Sequence, residues 1–300
     1  MAQRFLLLGE ADVRRVLTPA ALLPVMEEAL ARFSAGEGVQ QPQRTVLSVG
    51  PEAGFFGVMP ACTTTPPALG VKVVTGMPGN AARGLPSHLA TLLLLHPETG
   101  ALLALMDAHA LTELRTAAVS ALSARVLAVG PVRRLALLGS GAQARSHLQA
   151  LAAPLRAVPS AEEAVRGADL VVLATAAREP VLQDAWVGPG THVISVGACR
   201  PGERELDPVL LARAHLVVDS REAALCESGD VVRGLREGRF GPGHVRAELG
   251  ELLRGRGEGR RSAAEVTVFK SLGLAVEDVC AAHLAYGLAR AAGLGQELAL

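Results

Sequence analysis

The chain has 300 residues, half of them apolar, and its 29 basic and 29 acidic side chains balance. This neutrality argues against a nucleic-acid binder, which needs an excess of Lys and Arg to replace the counterions around phosphates. No apolar run is long enough to span a bilayer, the amino end lacks a signal peptide, and the four cysteines are scattered. These features predict a cytoplasmic chain with no membrane partner, no metal site and enough residues for two domains.

The first part of the chain is predicted to be a mixed, largely antiparallel region. A short strand over 5–8 precedes a helix from about Glu10, and a second helix runs from an N-cap at Thr18, followed by Pro19, to Gly36. Five strand-like stretches separated by Gly and Pro turns come next, RTVLSVG, GFFGVMP, LGVKVVTG, HLATLLLLH and ALLALMD. An Ala-rich helix is predicted over 112–129.

Beyond this helix the pattern changes to alternating strands and helices. The predicted strands are RLALLGS, ADLVVLAT, THVISVGA and HLVVDS. Such alternation predicts a parallel sheet with helices on its faces. The segment 267–294 contains a long Ala-rich helix that is predicted to return to the first domain. We therefore predict an α/β protein with a Rossmann-like doubly wound sheet over 116–263, reduced by about one strand-helix unit, and a mixed α+β substrate-binding and dimerisation domain over 1–115 and 264–300.

A glycine-rich turn, GSGAQA over 139–144, joins a predicted strand to a predicted helix. Its glycines allow a tight turn and close approach to a pyrophosphate, and the helix N-terminus offers unpaired N–H groups to the anion. A complete unit would continue with a second strand that ends in a residue reading the ribose. Here the next apolar strand begins only at Ala168. The sequence predicts a phosphate cradle and leaves open whether the cofactor is NAD or NADP.

Four charged residues stand out against their surroundings. Lys72 and Lys270 are the only lysines among 29 basic side chains, and Lys72 lies in an apolar predicted strand. A charge in such a place is costly without a partner or a polar cleft, and the same holds for Arg115 on its Ala-rich helix. Asp230 follows strand HLVVDS, near the edge where ligands collect in parallel sheets. These residues are predicted to serve a functional site.

Taken together, the motifs resemble those of the ornithine cyclodeaminase and mu-crystallin family over nearly the whole chain. The matching stretches are QPQRTVL, GVMPA, KVVT, LPSHLATLLL, ALLALMD, RTAAVSAL, GSGAQA, GTHVISVGACRPGERELD, VVDSREAALCESGD, AELGELL and VTVFKSLGLAVEDVCAAHLAY. The RPGERELD, ESGD and FKSLG sets look closest to the mu-crystallin-like ketimine reductases. The resemblance implies an enzyme that uses NAD or NADP in imine and amino-acid chemistry and forms a homodimer through its first domain.

The resemblance also implies roles for individual residues. It places Arg44, Lys72 and Arg115 around a substrate carboxylate, and it makes Asp230, with Lys72, the catalytic pair, Asp230 giving the proton to the substrate nitrogen. With the glycine-rich turn, the predicted cofactor-binding set is Gly139, Ser140, Gly141, Ala142, Gln143, Thr175, Val196, Lys270, Ser271 and Gly273.

One departure from the family pattern concerns the cofactor domain. Relatives carry a further strand and helix after the first cofactor-domain helix, and their ribose-recognition residues lie at the end of that strand. This chain lacks that unit. The segment LRAV over 155–158 is a candidate to take the vacated place beside LALLG, and Arg145 or Arg156 would then approach the adenosine phosphate.

The leading functional prediction is an NAD(P)H-dependent reductase of small cyclic ketimine carboxylates, such as pyrroline- or piperideine-2-carboxylate. A second prediction is ornithine cyclodeaminase, which would convert ornithine to proline and ammonia with a retained NAD. A third is a non-catalytic small-ligand binder that keeps the fold but has weakened cofactor binding. Arg44, Lys72, Arg115 and Asp230 argue against the third, because a binder has less need of a proton donor.

Overall fold

The fold divides into two compact units. The structure, a computed structural model, describes residues 3–50, 54–151 and 156–300. Unit 1 consists of Met1–Arg115 and Leu274–Leu300, and unit 2 of Thr116–Gly273. Within the described ranges, no helix has the length and apolar character needed to cross a membrane.

Unit 1 is built on an eight-stranded mixed sheet with the order β14-β1-β7-β6-β5-β4-β2, in which β3 also pairs with β4. Only β1 and β7 run parallel among these described pairs. The strands are β1 (Arg4–Leu8), β2 (Val39–Gln40), β3 (Thr45–Val49), β4 (Gly54–Thr64), β5 (Pro67–Gly76), β6 (His88–Leu95), β7 (Leu102–Asp107) and β14 (Gln296–Ala299). The helices are α1 (Glu10–Val16), α2 (Pro19–Ala35), the first part of α3 (Ala108–Leu127) and α10 (Ala275–Ala292).

Local sequence features explain where α2 begins and how closely α10 packs on the sheet. Thr18 caps α2 by accepting a hydrogen bond from the backbone of Ala21, with proline in the first turn, which confirms the predicted helix start. Small residues let α10 pack closely against β4 and β5, and a Cβ at Gly70 would lie 3.2 Å from Val279. Alternate residues of β5 are buried, so Lys72 shares the face of Gly70, the face that α10 covers.

Unit 2 contains a six-stranded sheet with the order β12-β11-β13-β10-β9-β8, and every described pair in it is parallel. This confirms the predicted α/β class. The strands are β8 (Leu135–Leu138), β9 (Leu170–Leu173), β10 (His192–Ser195), β11 (His215–Val218), β12 (Val245–Glu248) and β13 (Thr267–Lys270). The helices are α4 (Ala142–Leu151), α5 (Ala161–Val165), α6 (Pro208–Arg213), α7 (Arg221–Glu227), α8 (Gly229–Arg236) and α9 (Leu249–Leu253), with the last part of α3.

The structure moves the predicted domain boundary from residue 264 to residue 274. Strand β13 pairs with β10 on one side and with β11 on the other, so it lies inside the sheet of unit 2. Only from Leu274 onward does the chain belong to unit 1. The sequence predicted the long helix of this segment correctly, but a strand four residues long gives no sign of the sheet it joins.

The connection between β8 and β9 is short, as the sequence indicated. Strand β8 pairs with β9 and ends the strand order of the sheet. The prediction that LRAV forms a strand beside β8 is wrong for residues 156–158, which are irregular, and Leu155 lies outside the described residues. Residues 156–158 therefore do not form a strand that pairs with β8.

Candidate active site

A buried cluster of charges lies between β5, α3 and α10 of unit 1. Lys72 is 3% exposed and forms an ion pair with Asp278, which is fully buried. Arg115 Nε donates to Asp278 Oδ1 at 3.0 Å, and Arg115 Nη1 donates to Glu277 Oε2 at 2.5 Å. Two neighbouring carboxylates at the start of α10 thus hold two of the predicted substrate-binding cations.

The charges of this cluster act on one another. Burial lowers the pKa of Lys72 to about 8; the charge of Asp278 opposes this shift, and those of Arg115 and Arg44 add to it. Arg44, which is half-buried and immediately precedes β3, therefore lies close enough to Lys72 to influence it. Burial alone would raise the pKa of Asp278, but Arg115 and Lys72 hold it below its usual value. The three cations predicted from the sequence form one electrostatic group.

The prediction missed the carboxylates that hold these cations. Glu277 and Asp278 are adjacent and fully buried in the first turn of α10. A pair of acids in an otherwise apolar Ala-rich helix was the signal that was available, because such charges are buried only with partners. Their position near a helix N-terminus also favours negative charge.

The glycine-rich turn of unit 2 has the form the sequence predicted. Gly139 has φ +131°, and a Cβ there would lie 2.3 Å from the carbonyl oxygen of Ala174, so only glycine fits. A Cβ at Gly141 would meet nothing within 4 Å. Gly139, Ser140 and Gly141 are all exposed, and α4 begins at Ala142. The N-terminus of α4 is thus open to an anion.

The other predicted cofactor-binding residues follow strands at the same edge of the sheet. Thr175 comes after β9, Val196 after β10, and Lys270 ends β13 just before Ser271 and Gly273. The carboxyl ends of parallel strands form the edge at which ligands bind in such sheets. Gln143 lies in the first turn of α4, where its carbonyl oxygen is 2.7 Å from His147 Nδ1.

Asp219 shapes the turn that carries Ser271 and Gly273. It is fully buried after β11, and its Oδ2 accepts hydrogen bonds from Leu272 N at 2.6 Å, Gly273 N at 2.7 Å and Ser271 Oγ at 3.2 Å. The hydroxyl of Ser271 and the backbone N–H of Gly273, two predicted cofactor-binding residues, thus point toward this carboxylate. Asp219 was missed because its partners are some fifty residues away, although an acid at the end of a parallel strand was a signal.

A second buried network surrounds Lys270 and Asp230. Asp230 is 1% exposed; its Oδ1 accepts from the backbone N–H groups of Glu205 and Leu206 at 3.0 and 2.9 Å, and its Oδ2 lies 3.1 Å from Lys270 Nζ. Lys270 Nζ also donates to Ser195 Oγ at 2.9 Å and to the carbonyl of Gly197. Lys270 and Asp230 therefore fix the backbone around 195–197 and 205–206.

Glu205, which the sequence-based prediction overlooked, completes this network. Its carboxylate accepts from Ser195 Oγ at 2.6 Å, Gly197 N at 2.8 Å and Thr175 Oγ1 at 3.0 Å. Burial raises the pKa of Glu205, against the charge of Lys270. Burial would lower the pKa of Lys270, but the charges of Asp230 and Glu205 raise it. The network thus ties the segments after β9 and β10 to the end of β13.

The described residues of unit 2 fit a dinucleotide. The Gly139 turn leaves no room for a side chain, and the exposed start of α4 presents backbone N–H groups of the kind that bind pyrophosphate. The turn would hold the phosphates, and the segments after β9, β10 and β13 would hold the nicotinamide end. Among described residues, no group of three or more His, Cys, Asp or Glu is arranged to hold a metal ion.

Comparison with known proteins gives relatives along the whole chain. The profile of the Ornithine cyclodeaminase/mu-crystallin family matches residues 4–156 and 151–293. The chain is 42% identical to the ketimine reductase mu-crystallin of Mus musculus, over 88% of this chain and 91% of the mouse protein. It is 32% identical to a Delta(1)-pyrroline-2-carboxylate reductase of Bacillus cereus, over 98% of this chain and 99% of that protein.

Solved structures agree with these relatives. The Delta(1)-pyrroline-2-carboxylate reductase of Thermococcus litoralis, in complex with NADH and L-proline, has a TM-score of 0.94 and 36% identity, with 97% of this chain and 99% of that chain covered. An archaeal alanine dehydrogenase dimer with bound NAD has a TM-score of 0.92 and 32% identity, with 98% and 99% covered.

The comparisons also locate the shortened part of unit 2. The alignment with the Bacillus cereus enzyme has 324 positions but includes 98% of a 300-residue chain, so about 30 positions have no counterpart here. The family profile matches in two pieces that overlap at residues 151–156, at the end of α4. The missing unit predicted from the sequence thus belongs to this point of the chain.

Proposed function

This chain belongs to the ornithine cyclodeaminase/mu-crystallin family, and we propose that it is an NAD(P)H-dependent reductase of small cyclic ketimine carboxylates. The observation that carries the proposal is the buried charge cluster of unit 1, in a chain whose unit 2 has a glycine-rich turn suited to a dinucleotide. Ketimine reductase mu-crystallin and Delta(1)-pyrroline-2-carboxylate reductases are among its relatives.

We propose that the substrate carboxylate is bound through its charge. Arg44, Lys72 and Arg115 formally carry three positive charges, and Glu277 and Asp278 carry two negative charges. The three cations give this cluster groups that can attract one substrate carboxylate. Lys72 and Arg115 are buried and held by the two acids, whereas Arg44 is half-buried. We assign Arg44 to direct contact, since a guanidinium can bind a carboxylate through two parallel hydrogen bonds.

Reduction of a ketimine adds a hydride to the C=N carbon and a proton to the nitrogen. A bound dihydronicotinamide supplies the hydride. We assign the proton to Lys72, because a pKa of about 8 leaves its ammonium charged at neutral pH yet able to give up a proton, which solvent then replaces. Asp230, the donor predicted from the sequence, faces two backbone N–H groups and Lys270. To donate a proton, Asp230 would first have to give up one of these partners.

The experiment is to incubate the purified protein with pyrroline- or piperideine-2-carboxylate and NADH or NADPH. We expect the dihydronicotinamide absorbance to fall and the cyclic amino acid to form, with Lys72→Met strongly reducing turnover while cofactor affinity is kept. Asp230→Asn tests the alternative donor in the same assay. If Lys72→Met retains wild-type turnover and Asp230→Asn does not, the proton comes from Asp230 instead.

The same preparation tests the other two predictions. Release of ammonia from ornithine without added reductant would assign the chain to ornithine cyclodeamination. Failure to bind either dinucleotide at millimolar concentration, by a folded protein, would favour a non-catalytic binder.

A homodimer formed through unit 1 is also proposed. Strand β3 is exposed along its whole length, including Val46, Leu47 and Val49. Contiguous exposed apolar side chains on a sheet edge are typical of association surfaces. Light scattering after size exclusion gives the mass directly. A monomer at micromolar concentration would contradict the proposal, and Leu47→Glu is expected to shift a dimer toward monomer.

A further inference from the structure

We propose that this enzyme binds its dinucleotide without reading the 2′ position of the adenosine ribose, so that NADH and NADPH bind and react almost equally. The inference rests on the proposed function and adds the cofactor specificity that the sequence left open. It comes from the way β8, α4 and α5 are connected.

The chain between β8 and β9 accommodates α4 and α5. In a complete dinucleotide-binding unit, an acidic residue about 20 residues beyond the glycine motif ends a second strand and hydrogen-bonds the ribose. At this distance the present chain has Ser160, whose side chain instead caps α5 by accepting from Glu163 N at 3.1 Å. Residues near the expected position of the ribose-reading acid are therefore used to start a helix.

Two nearby acids, Glu162 and Asp169, have other partners. Glu162 accepts a hydrogen bond from Arg166 at 2.7 Å, one turn along α5. Asp169 accepts from the backbone N–H groups of Arg133 and Arg134 at 2.8 and 2.9 Å, just before the amino end of β9. That end of the strand is opposite to the edge at which the glycine-rich turn lies. Neither acid stands at the carboxyl end of a strand beside β8.

The strand order of the sheet in unit 2 also indicates that the ribose-binding strand is absent. In the described ranges β8 pairs with β9 and has no strand on its other side, which is where the second strand of a complete unit would lie. About 30 positions of the Bacillus cereus relative lack a counterpart, and the family profile breaks at 151–156. The missing element is thus the one that carries ribose recognition.

The elements that remain recognise groups that both cofactors share. The Gly139 turn and the start of α4 suit the pyrophosphate. Arg145 is exposed, and its Nη1 donates to the carbonyl of Ser140 at 3.2 Å, so its charge lies over the turn. A cation at this place attracts the pyrophosphate of either dinucleotide.

The test is isothermal titration calorimetry of the wild-type protein with three dinucleotides that differ only at the 2′ position: 2′-deoxy-NADH, NADH and NADPH. We expect the three dissociation constants to agree within about threefold. A hydrogen bond to a charged ribose-reading group would separate them by roughly 10- to 100-fold. A tenfold or larger preference for any of the three, with normal binding of the best, overturns the inference and leaves the reductase proposal intact. Absence of binding by all three overturns both.

An alanine substitution of Arg145 tests whether this arginine contacts the 2′ group of the adenosine ribose. We expect Arg145→Ala to weaken NADH and NADPH by the same factor, because the arginine acts on the shared phosphates. A loss of tenfold or more for NADPH alone would show 2′ recognition and overturn the inference. Arg261→Ala is the matched control: Arg261 is an exposed arginine before the amino end of β13, paired with Glu265, and its loss should change neither affinity. The ratio of kcat/KM for NADH and NADPH, measured in parallel, should stay near one.

Discussion

The carboxylate of Asp278 forms an ion pair with the ammonium of Lys72, and both groups are almost completely removed from water. The same carboxylate accepts a hydrogen bond from Arg115 at 3.0 Å. Buried charges are tolerated only when they are paired and hydrogen-bonded. Asp278 therefore determines both the stability of the cluster and the charge state of Lys72.

Replacing Asp278 by Asn is expected to destabilise the protein by about 3–5 kcal/mol, because two buried cations lose their shared partner. Urea denaturation followed by circular dichroism measures the loss. Glu297→Gln is the control, since it breaks an exposed ion pair with Arg4, and such pairs contribute about 1 kcal/mol or less. Equal unfolding midpoints for the two variants would show that the Asp278 contacts add little.

The pKa of Lys72 predicts opposite pH effects on binding and on stability. Substrate or product carboxylate binding should weaken as the pH rises through about 8, where Lys72 loses its charge. Between about 8 and the ordinary value of 10.5 the unfolded chain binds more protons than the folded one, so the contribution of Lys72 to stability rises with pH. Calorimetric titration with L-proline across this range measures the first effect. In Lys72→Arg, whose charge persists, the break near pH 8 should disappear, and its persistence would assign the titration to another group.

Lys270 is expected to be required for the stability of unit 2. Lys270→Met leaves Asp230 and Glu205 buried without their cation, which should cost about 3–5 kcal/mol. Burial raises the pKa of Glu205 and the charge of Lys270 opposes that shift, so without Lys270 the variant should lose further stability as the pH rises above the acidic range. Urea midpoints at acidic and at neutral pH measure this trend. In a double-mutant cycle with Asp230→Asn, the combined loss should be smaller than the sum, because the pair is coupled; additive losses would contradict the contact.

Two glycines of one turn are expected to respond differently to alanine. In Gly139→Ala the new methyl group would collide with the carbonyl of Ala174 at 2.3 Å and φ is +131°, so stability and dinucleotide affinity should both fall. In Gly141→Ala the methyl group meets nothing within 4 Å. Stability should change by no more than about 0.5 kcal/mol, while dinucleotide affinity falls because the side chain extends over the phosphate position. Thermal unfolding and NADH titration measure both. Unchanged NADH affinity in Gly141→Ala would contradict the proposed phosphate site.

Local patterns predicted much of this structure. The Thr18 cap, the strand containing Lys72 and the turn at Gly139 depend on neighbouring residues, and each is where the sequence indicated. Lys72 and Asp230 stood out in their local surroundings, the family resemblance added Arg44, and the roles of all three residues stay predictions. What could not be predicted depends on partners distant in the chain: Asp278 meets Arg115 across 163 positions. No local pattern specifies such a partner.

The position of β13 has a consequence for the synthesis of the protein. This strand is the last of unit 2 in the chain, yet it lies between β10 and β11. Strand β13 forms the hydrogen bonds that join β11 and β12 to β8, β9 and β10. Until residues 267–270 have left the ribosome, these two groups of strands cannot form one sheet. The nascent chain must therefore hold two separate pieces of an unfinished sheet, with strand edges exposed, from the synthesis of β12 until that of β13. Such long-range closure slows folding and leaves time for association with chaperones or with other nascent chains.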